Sequence, residues 1–316
     1  MPSSEVPVFF AVDDNYAAYL AVAIKSLTAH TDPARQYHLI ILCDNLNTAN
    51  QDLLKTYQQA NVTISFVAIN AQLKQAIDDR GNKLRSDYFT FTIYFRLFIA
   101  ELFPDLDKAI YLDADTVILD DIAKLYDVSL GENLIGAVPD YFIGHTPETI
   151  DYANQAVGID SQKYVNSGVL LMNLKVMRDC HFADHFLDLL NRYHFKSLAP
   201  DQDYMNAIAR KRICYLDSSW NVQITTPKTV TPRLIHYNLF AKPWRYADAP
   251  RQDYFWRYAK QTSFYSELQH DLAQMTPEQT ERDQKNQRDL IALAVNIIKT
   301  PVTFAAISKQ GVKIAL

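Results

Sequence analysis

Two carboxylates, two residues apart, close an apolar run in Ala109-Ile110-Tyr111-Leu112-Asp113-Ala114-Asp115. In extended backbone alternate side chains project to the same side, so Asp113 and Asp115 can share one cation. Hard carboxylate oxygens suit Mg²⁺ or Mn²⁺, and such ions in turn bridge phosphate oxygens. The same spacing recurs at Asp105/Asp107 and Asp201/Asp203, where a solvated turn or a helix cap would account for it. Context distinguishes the Asp113 pair: an apolar strand delivers it, and Thr116-Val117-Ile118-Leu119 follows at once. A calcium-binding EF-hand loop is excluded, because its later Asp/Asn and Gly are missing.

A second chemistry-bearing stretch is Ile235-His236-Tyr237-Asn238-Leu239-Phe240-Ala241-Lys242-Pro243-Trp244. A lone histidine is usually an ordinary surface or core residue, but an imidazole beside two carboxylates would complete a manganese site. Lys242 would then offer a cation to a diphosphate. The chain has only seven glycines and neither a G-x-G-x-x-G nor a G-x-x-x-x-G-K-[ST] loop, so any phosphate must be held by metal or by side chains. An apolar strand followed by Asp-x-Asp-x-Val also resembles the haloacid-dehalogenase phosphatases, which would make Asp113 a nucleophile. That family needs a late Gly-Asp or Asp-Asp segment, and none follows Asp121.

The elements that must position these residues show a βαβ rhythm. Val6–Val12 reads as a strand and Tyr16–Leu27 as a helix; His38–Cys43 as a strand and Thr48–Ala60 as a helix; Val62–Ile69 as a third strand. Such alternation predicts an α/β fold with a mostly parallel twisted sheet flanked by helices. Ligands of these sheets gather at the carboxyl ends of strands, where both Asp13-Asp14-Asn15 and Asp113-Ala114-Asp115 fall. Further on, the patterns predict an aromatic helix over Thr92–Phe103, strands over Lys108–Leu112, Tyr164–Met172 and Arg233–Ile235, and a helix over Lys175–Tyr193. A further helix opens at Asp201-Gln202-Asp203. A composition shift after Trp244 places a boundary near residue 245, giving a catalytic domain over 1–245 and a mainly helical C-terminal extension over 246–316.

With 316 residues and a formal net charge of −5, the chain can bury a full core and offers no broad basic surface for nucleic acid. Three dispersed cysteines read as reduced thiols rather than a disulfide framework, which fits a cytoplasmic setting. The start lacks the basic and long apolar regions of a signal peptide, and no run is long enough to span a membrane.

In this order, the motifs resemble glycosyltransferase family 8, which includes bacterial lipopolysaccharide galactosyltransferases and glycogenin. Besides the Asp113 pair and His236…Lys242-Pro243-Trp244, the resemblance rests on Phe10-Ala11-Val12-Asp13-Asp14-Asn15-Tyr16, Tyr94-Phe95-Arg96-Leu97, Val165-Asn166-Ser167-Gly168-Val169-Leu170-Leu171-Met172-Asn173, Asp201-Gln202-Asp203 and Trp220-Asn221. It spans about Val8 to Trp244 and implies a GT-A-type nucleotide-sugar transferase fold.

The resemblance further implies transfer of galactose or glucose from a UDP-hexose to a saccharide or glycolipid acceptor, with retention of configuration. Asp113, Asp115 and His236 would ligate Mn²⁺, or Mg²⁺ in its place. Asp13, Asn15 and Tyr16 would hold the nucleoside, which lies against the small Ala114; capping of the following helix by Asp13 or Asp14 is the alternative. Arg96 and Lys242 would add positive charge for the donor, unless Arg96 forms a structural ion pair. Asn166, Asp201, Gln202 and Asp203 would surround the transferred hexose, and Asp201 could also cap its helix after Pro200. Gln202 sits nearest the reacting carbon by family position, yet an amide is a poor nucleophile. Front-side attack is therefore favoured, with Asp203 as the alternative nucleophile. One departure stands out: Leu239 occupies a position where the family commonly has Gly. The acid-free, basic tail after Asp289 could contact a membrane or a second subunit, or pack on the chain itself.

Overall fold

The computed structural model describes residues 5–69 and 92–316. Their strands in chain order are β1 (Glu5–Val12), β2 (Gln36–Cys43), β3 (Val62–Ala68), β4 (Ala109–Leu112), β5 (Thr116–Ile118), β6 (Ile135–Pro139), β7 (Val165–Met172), β8 (Ile213–Tyr215), β9 (Val222–Gln223) and β10 (Leu234–His236). The chain divides into two compact units. The first comprises Met1–Ala68, Ala109–Ser129 and Asp217–Gln284, and the second Ile69–Lys108, Leu130–Leu216 and Lys285–Leu316.

In the first unit the order β3-β2-β1-β4 is parallel throughout, as the βαβ rhythm predicts. Val6, Val8, Phe9 and Phe10 of β1 are all fully buried, the near-continuous apolar run of a strand covered on both faces. Helix Ala17–Thr28, rich in Ala and Leu, supplies a crossover and buries ten of its twelve residues. The helix predicted over Thr48–Ala60 stops at Lys55. There the Thr56 hydroxyl turns back onto the Leu53 carbonyl at 2.6 Å and competes with helix continuation.

A second, small sheet of this unit, β5-β10-β9, positions the site. β10 runs antiparallel to β5, with His236 opposite Thr116, and parallel to β9, with His236 opposite Gln223. The strand lies one residue later than the predicted Arg233–Ile235, so His236 is a strand residue rather than its successor.

In the second unit β7 pairs antiparallel with β6, and β6 pairs parallel with β8. Every residue of β7 is buried. The helix predicted over Thr92–Phe103 is interrupted by a 3₁₀ turn, Arg96–Phe98. Arg96 Nε donates to the Ile93 carbonyl at 3.1 Å, taking a backbone acceptor. The helix predicted over Lys175–Tyr193 is two, Leu174–Asp179 and Phe182–Tyr193, broken at His181 with φ +55°.

After residue 245 the chain is helical: Gln252–Ala259, Tyr265–Ala273, Pro277–Ile298 and Phe304–Lys309. This stretch is shared between the units, the division falling after Gln284. Its apolar residues Leu290, Ala294, Ile297, Phe304, Ile307 and Ile314 are buried, so packing on the chain itself accounts for them. Phe304 meets Phe195 and Tyr204 at ring-centroid distances of 4.1 and 4.9 Å, and Leu316 N–H donates to the Ile208 carbonyl. Among the described residues no helix is long and apolar enough to cross a membrane. Cys43, Cys180 and Cys214 are free thiols.

Candidate active site

Asp113 and Asp115 follow β4, and β10 brings His236 alongside through its register with Thr116 and a bond from Tyr237 N–H to the Asp115 carbonyl. One ligand atom from each of Asp113, Asp115 and His236 lies within 4.8 Å of the others. His236 Nε2 is 3.2 Å from Asp115 Oδ1 and 3.6 Å from Asp113 Oδ2. Asp113 is oriented from behind: the Tyr111 hydroxyl donates to its Oδ1 at 2.9 Å, and the Thr116 hydroxyl to its carbonyl at 2.8 Å.

Lys242 completes this cluster. Its ammonium donates to Asp115 Oδ2 at 2.5 Å and to the Tyr237 carbonyl. Burial alone would push the Asp115 carboxyl upward, but Lys242 and His236 outweigh it and hold the group well below the usual carboxylate range. Asp115 Oδ1 is buried and accepts no hydrogen bond. A buried anionic oxygen with no donor, beside a second carboxylate and an imidazole nitrogen, fits a divalent ion of borderline hardness such as Mn²⁺.

The loop joining His236 to Lys242 is braced from below. The Tyr237 hydroxyl donates to the Arg251 carbonyl at 2.7 Å, and Phe255 of helix Gln252–Ala259 contacts the rings of Tyr237 and Trp244. Leu239 sits in this loop at φ +60°, the left-handed region that glycine enters freely and leucine enters at a cost of about 1–2 kcal/mol. The departure noted in the sequence thus falls on a strained residue.

Asp13, Asn15 and Tyr16 lie at the end of β1, in a 3₁₀ turn that Asp13 caps by accepting from Asn15 N–H at 3.0 Å. Neighbouring Asp14 is fastened elsewhere. It accepts from the Asn47 backbone, then from the Asn50 and Asn47 side chains, and these bonds hold its pKa down. Tyr16 stands edge-on to Tyr19, whose ring stacks on Trp244 at 4.0 Å.

Arg96, Asn166, Asp201 and Gln202 belong to the second unit and form one buried polar network. Asn166 Nδ2 and Gln202 Nε2 both donate to Asp140 Oδ2, at 3.0 and 3.1 Å. Gln202 Oε1 accepts from Ser167 N–H at 2.9 Å. Arg96 makes the structural ion pair that the sequence left as its alternative: its Nε lies 3.3 Å from Asp201 Oδ2, and its Nη1 donates to the Ser167 carbonyl at 2.7 Å. Helix Pro200–Ala209 has Ala199 as its N-cap, so Asp201 lies in the first turn and is not the cap.

Asp203 is wholly buried, and both its oxygens are engaged: Oδ1 by the Tyr164 hydroxyl at 2.6 Å, Oδ2 by the Tyr152 hydroxyl at 2.7 Å and by Leu198 and Ala199 N–H. Burial pushes its pKa up to about 6 despite these bonds. A carboxylate so enclosed anchors the start of its helix, a geometry that argues against the alternative nucleophile.

Asp140 was missed from the sequence. It follows the apolar run of β6, as Asp113 follows β4, and that repetition of strand then aspartate was the available signal.

The sequence model of glycosyl transferase family 8 matches residues 7–248. The chain belongs to glycosyltransferase family 8. General stress protein A of Bacillus subtilis (strain 168) is 25% identical over 275 residues, covering 80% of this chain and 92% of that protein. Lipopolysaccharide 1,2-glucosyltransferase of Escherichia coli (strain K12) is 26% identical over 268 residues, covering 78% and 75%. Among solved structures, the galactosyltransferase LgtC in complex with donor and acceptor sugar analogues superposes with a TM-score of 0.70 at 29% identity, covering 82% of this chain and 96% of that one. The fold is accordingly of the GT-A type, and the chain is a glycosyltransferase. Membership also decides between the two readings of Asp113, in favour of transferase over phosphatase.

Proposed function

We propose that this family 8 enzyme transfers galactose or glucose, with retention, from a UDP-hexose to a hydroxyl of a glycan or lipid-linked saccharide, in a manganese-dependent reaction. The observation that carries the reading is the convergence of Asp113, Asp115 and His236 within 4.8 Å, with Lys242 on the same carboxylate. When bound there, a divalent ion supplies Lewis-acid stabilisation of the departing diphosphate, worth several kcal/mol of barrier. Asp113, Asp115 and His236 would hold it.

Lys242 then places an ammonium where phosphate oxygens gather, and Asp13, Asn15 and Tyr16 hold the nucleoside beside Ala114. Asn166, Gln202 and Asp140 form the polar set that reads hexose hydroxyls. Arg96 and Asp201 brace that set through Ser167, and Asp203 fixes the start of its helix. In the transfer the bond from the anomeric carbon to the phosphate oxygen breaks, and the bond to the acceptor oxygen forms on the same face. The acceptor proton passes to the departing UDP. No carboxylate is needed as nucleophile, consistent with the enclosure of Asp203.

The test is UDP release from a panel of UDP-hexoses, with Mn²⁺, Mg²⁺ or EDTA, comparing the wild type with Asp115→Ala. Metal-dependent turnover of one donor, lost in the variant, is the expected result. Binding of UDP without turnover of any donor, across a panel of saccharide acceptors, would replace this reading with that of a sugar-nucleotide-binding protein.

A further inference from the structure

The Trp220-Asn221 pair carries no role in the proposed reaction, yet it lies beside His236. Asn221 is fully enclosed, 1% exposed, and its Oδ1 stands 3.3 Å from His236 Nδ1. We infer that Asn221 is a positioning residue that holds His236 as the Nδ1–H tautomer, leaving the Nε2 lone pair directed at Asp113 and Asp115. The inference rests on the metal site proposed above for its consequence, but the tautomer is read without a metal.

The backbone around Asn221 is fixed from several sides. It ends the 3₁₀ turn Ser218–Asn221, which Asp217 caps through Ser219 N–H and the Ser219 hydroxyl. Arg233 N–H donates to the Ser219 carbonyl at 2.9 Å, and the Arg233 guanidinium lies over the Trp220 ring at 5.4 Å. Residues 222 and 223 then enter β9, in register with Ile235 and His236. Asn221 and His236 are therefore held side by side by strand pairing, not by a mobile loop.

The chemistry follows from the donor and acceptor inventory. An amide oxygen only accepts, so a neutral ring bonds it only with the hydrogen on Nδ1, and Nε2 is then an acceptor and a metal ligand. The competing acceptors are Asp115 Oδ1 and Asp113 Oδ2, 3.2 and 3.6 Å from Nε2, and the first is out of line for a hydrogen bond. Outer partners of this kind orient metal-binding histidines and are typically worth 10–100-fold in affinity. Trp220 serves the same end indirectly, anchoring the turn that delivers Asn221.

The experiment uses the full chain labelled with ¹⁵N-histidine, read by long-range ¹H–¹⁵N spectra at alkaline pH without metal, with His236 identified by its loss in His236→Gln. Manganese affinity is measured in parallel by calorimetry. The wild type is expected to show Nδ1–H at His236. Asn221→Leu, verified as folded by circular dichroism, should shift the ring to Nε2–H and weaken Mn²⁺ binding about 10–100-fold. Asn221→Asp, which keeps the acceptor, should restore both. An Nε2–H ring in the wild type overturns the inference, as does a folded Asn221→Leu that binds Mn²⁺ as tightly as the wild type. If the wild type binds no Mn²⁺, the metal reading fails, and the tautomer spectrum still decides the role of Asn221.

Discussion

Asp203 makes the protein's stability depend on pH in a direction opposite to that of most carboxylates. Its enclosure raises the folded-state pKa from an ordinary 3.8 to about 6, so between these values the folded chain keeps a proton that the unfolded chain releases. The stabilisation from that proton is complete below about pH 4 and is lost as pH rises through about 6. By linkage the full difference amounts to about 3 kcal/mol. Asp203→Asn, which mimics the protonated side chain, removes this dependence. Urea unfolding of both proteins from pH 4 to pH 7 is therefore expected to show the stability of the wild type, relative to Asp203→Asn, falling by up to about 3 kcal/mol. Tyr164→Phe supplies an independent arm that keeps the carboxylate. The tyrosine bond favours the charged form, so its loss should move the window to higher pH. A difference between wild type and Asp203→Asn that stays constant across this range would refute the reasoning, because it would mean that Asp203 titrates alike in the folded and unfolded chains.

Lys242→Met leaves the buried Asp115 carboxylate without its ammonium partner, and thermal unfolding without metal should show a loss of about 3–5 kcal/mol. Added Mn²⁺ should then raise the Tm of Lys242→Met by more than it raises that of the wild type, since the ion replaces the missing cation; an equal rise would count against a shared site. At Leu239, glycine relieves about 1–2 kcal/mol of left-handed strain but adds about 0.5–1 kcal/mol of unfolded-chain entropy, so Leu239→Gly should leave stability unchanged or raise it by up to about 1.5 kcal/mol. Leu239→Val, β-branched at the same φ, should cost more than about 1 kcal/mol by the same unfolding assay. Phe304→Ala removes a ring packed against Phe195 and Tyr204 and should cost about 3–5 kcal/mol in urea unfolding, showing that the C-terminal helix belongs to the core.

The sequence by itself determined the βαβ rhythm, the strand-end position of Asp13 and of the Asp113 pair, and the family. These depend on local period and short motifs, which a single chain displays openly. The grouping of His236 and Lys242 with the two aspartates came from the family resemblance that those motifs carry. Breaks within helices were less legible. Arg96 and Thr56 interrupt theirs by bonding back to nearby carbonyls, which no hydrophobic pattern records. Only the tertiary structure decided what each polar residue faces. Asp113, Asp201 and Asp203 look alike in sequence, yet Asp113 joins a histidine brought by a separate sheet, Asp201 pairs with Arg96, and Asp203 is closed off by two tyrosines. Asp140 and Asn221 likewise act through partners more than ten residues away. The physical reason is that a carboxylate's role is set by desolvation and by its hydrogen-bond donors. Both are supplied by segments distant in the chain, through strand pairings that the spacing of residues does not encode.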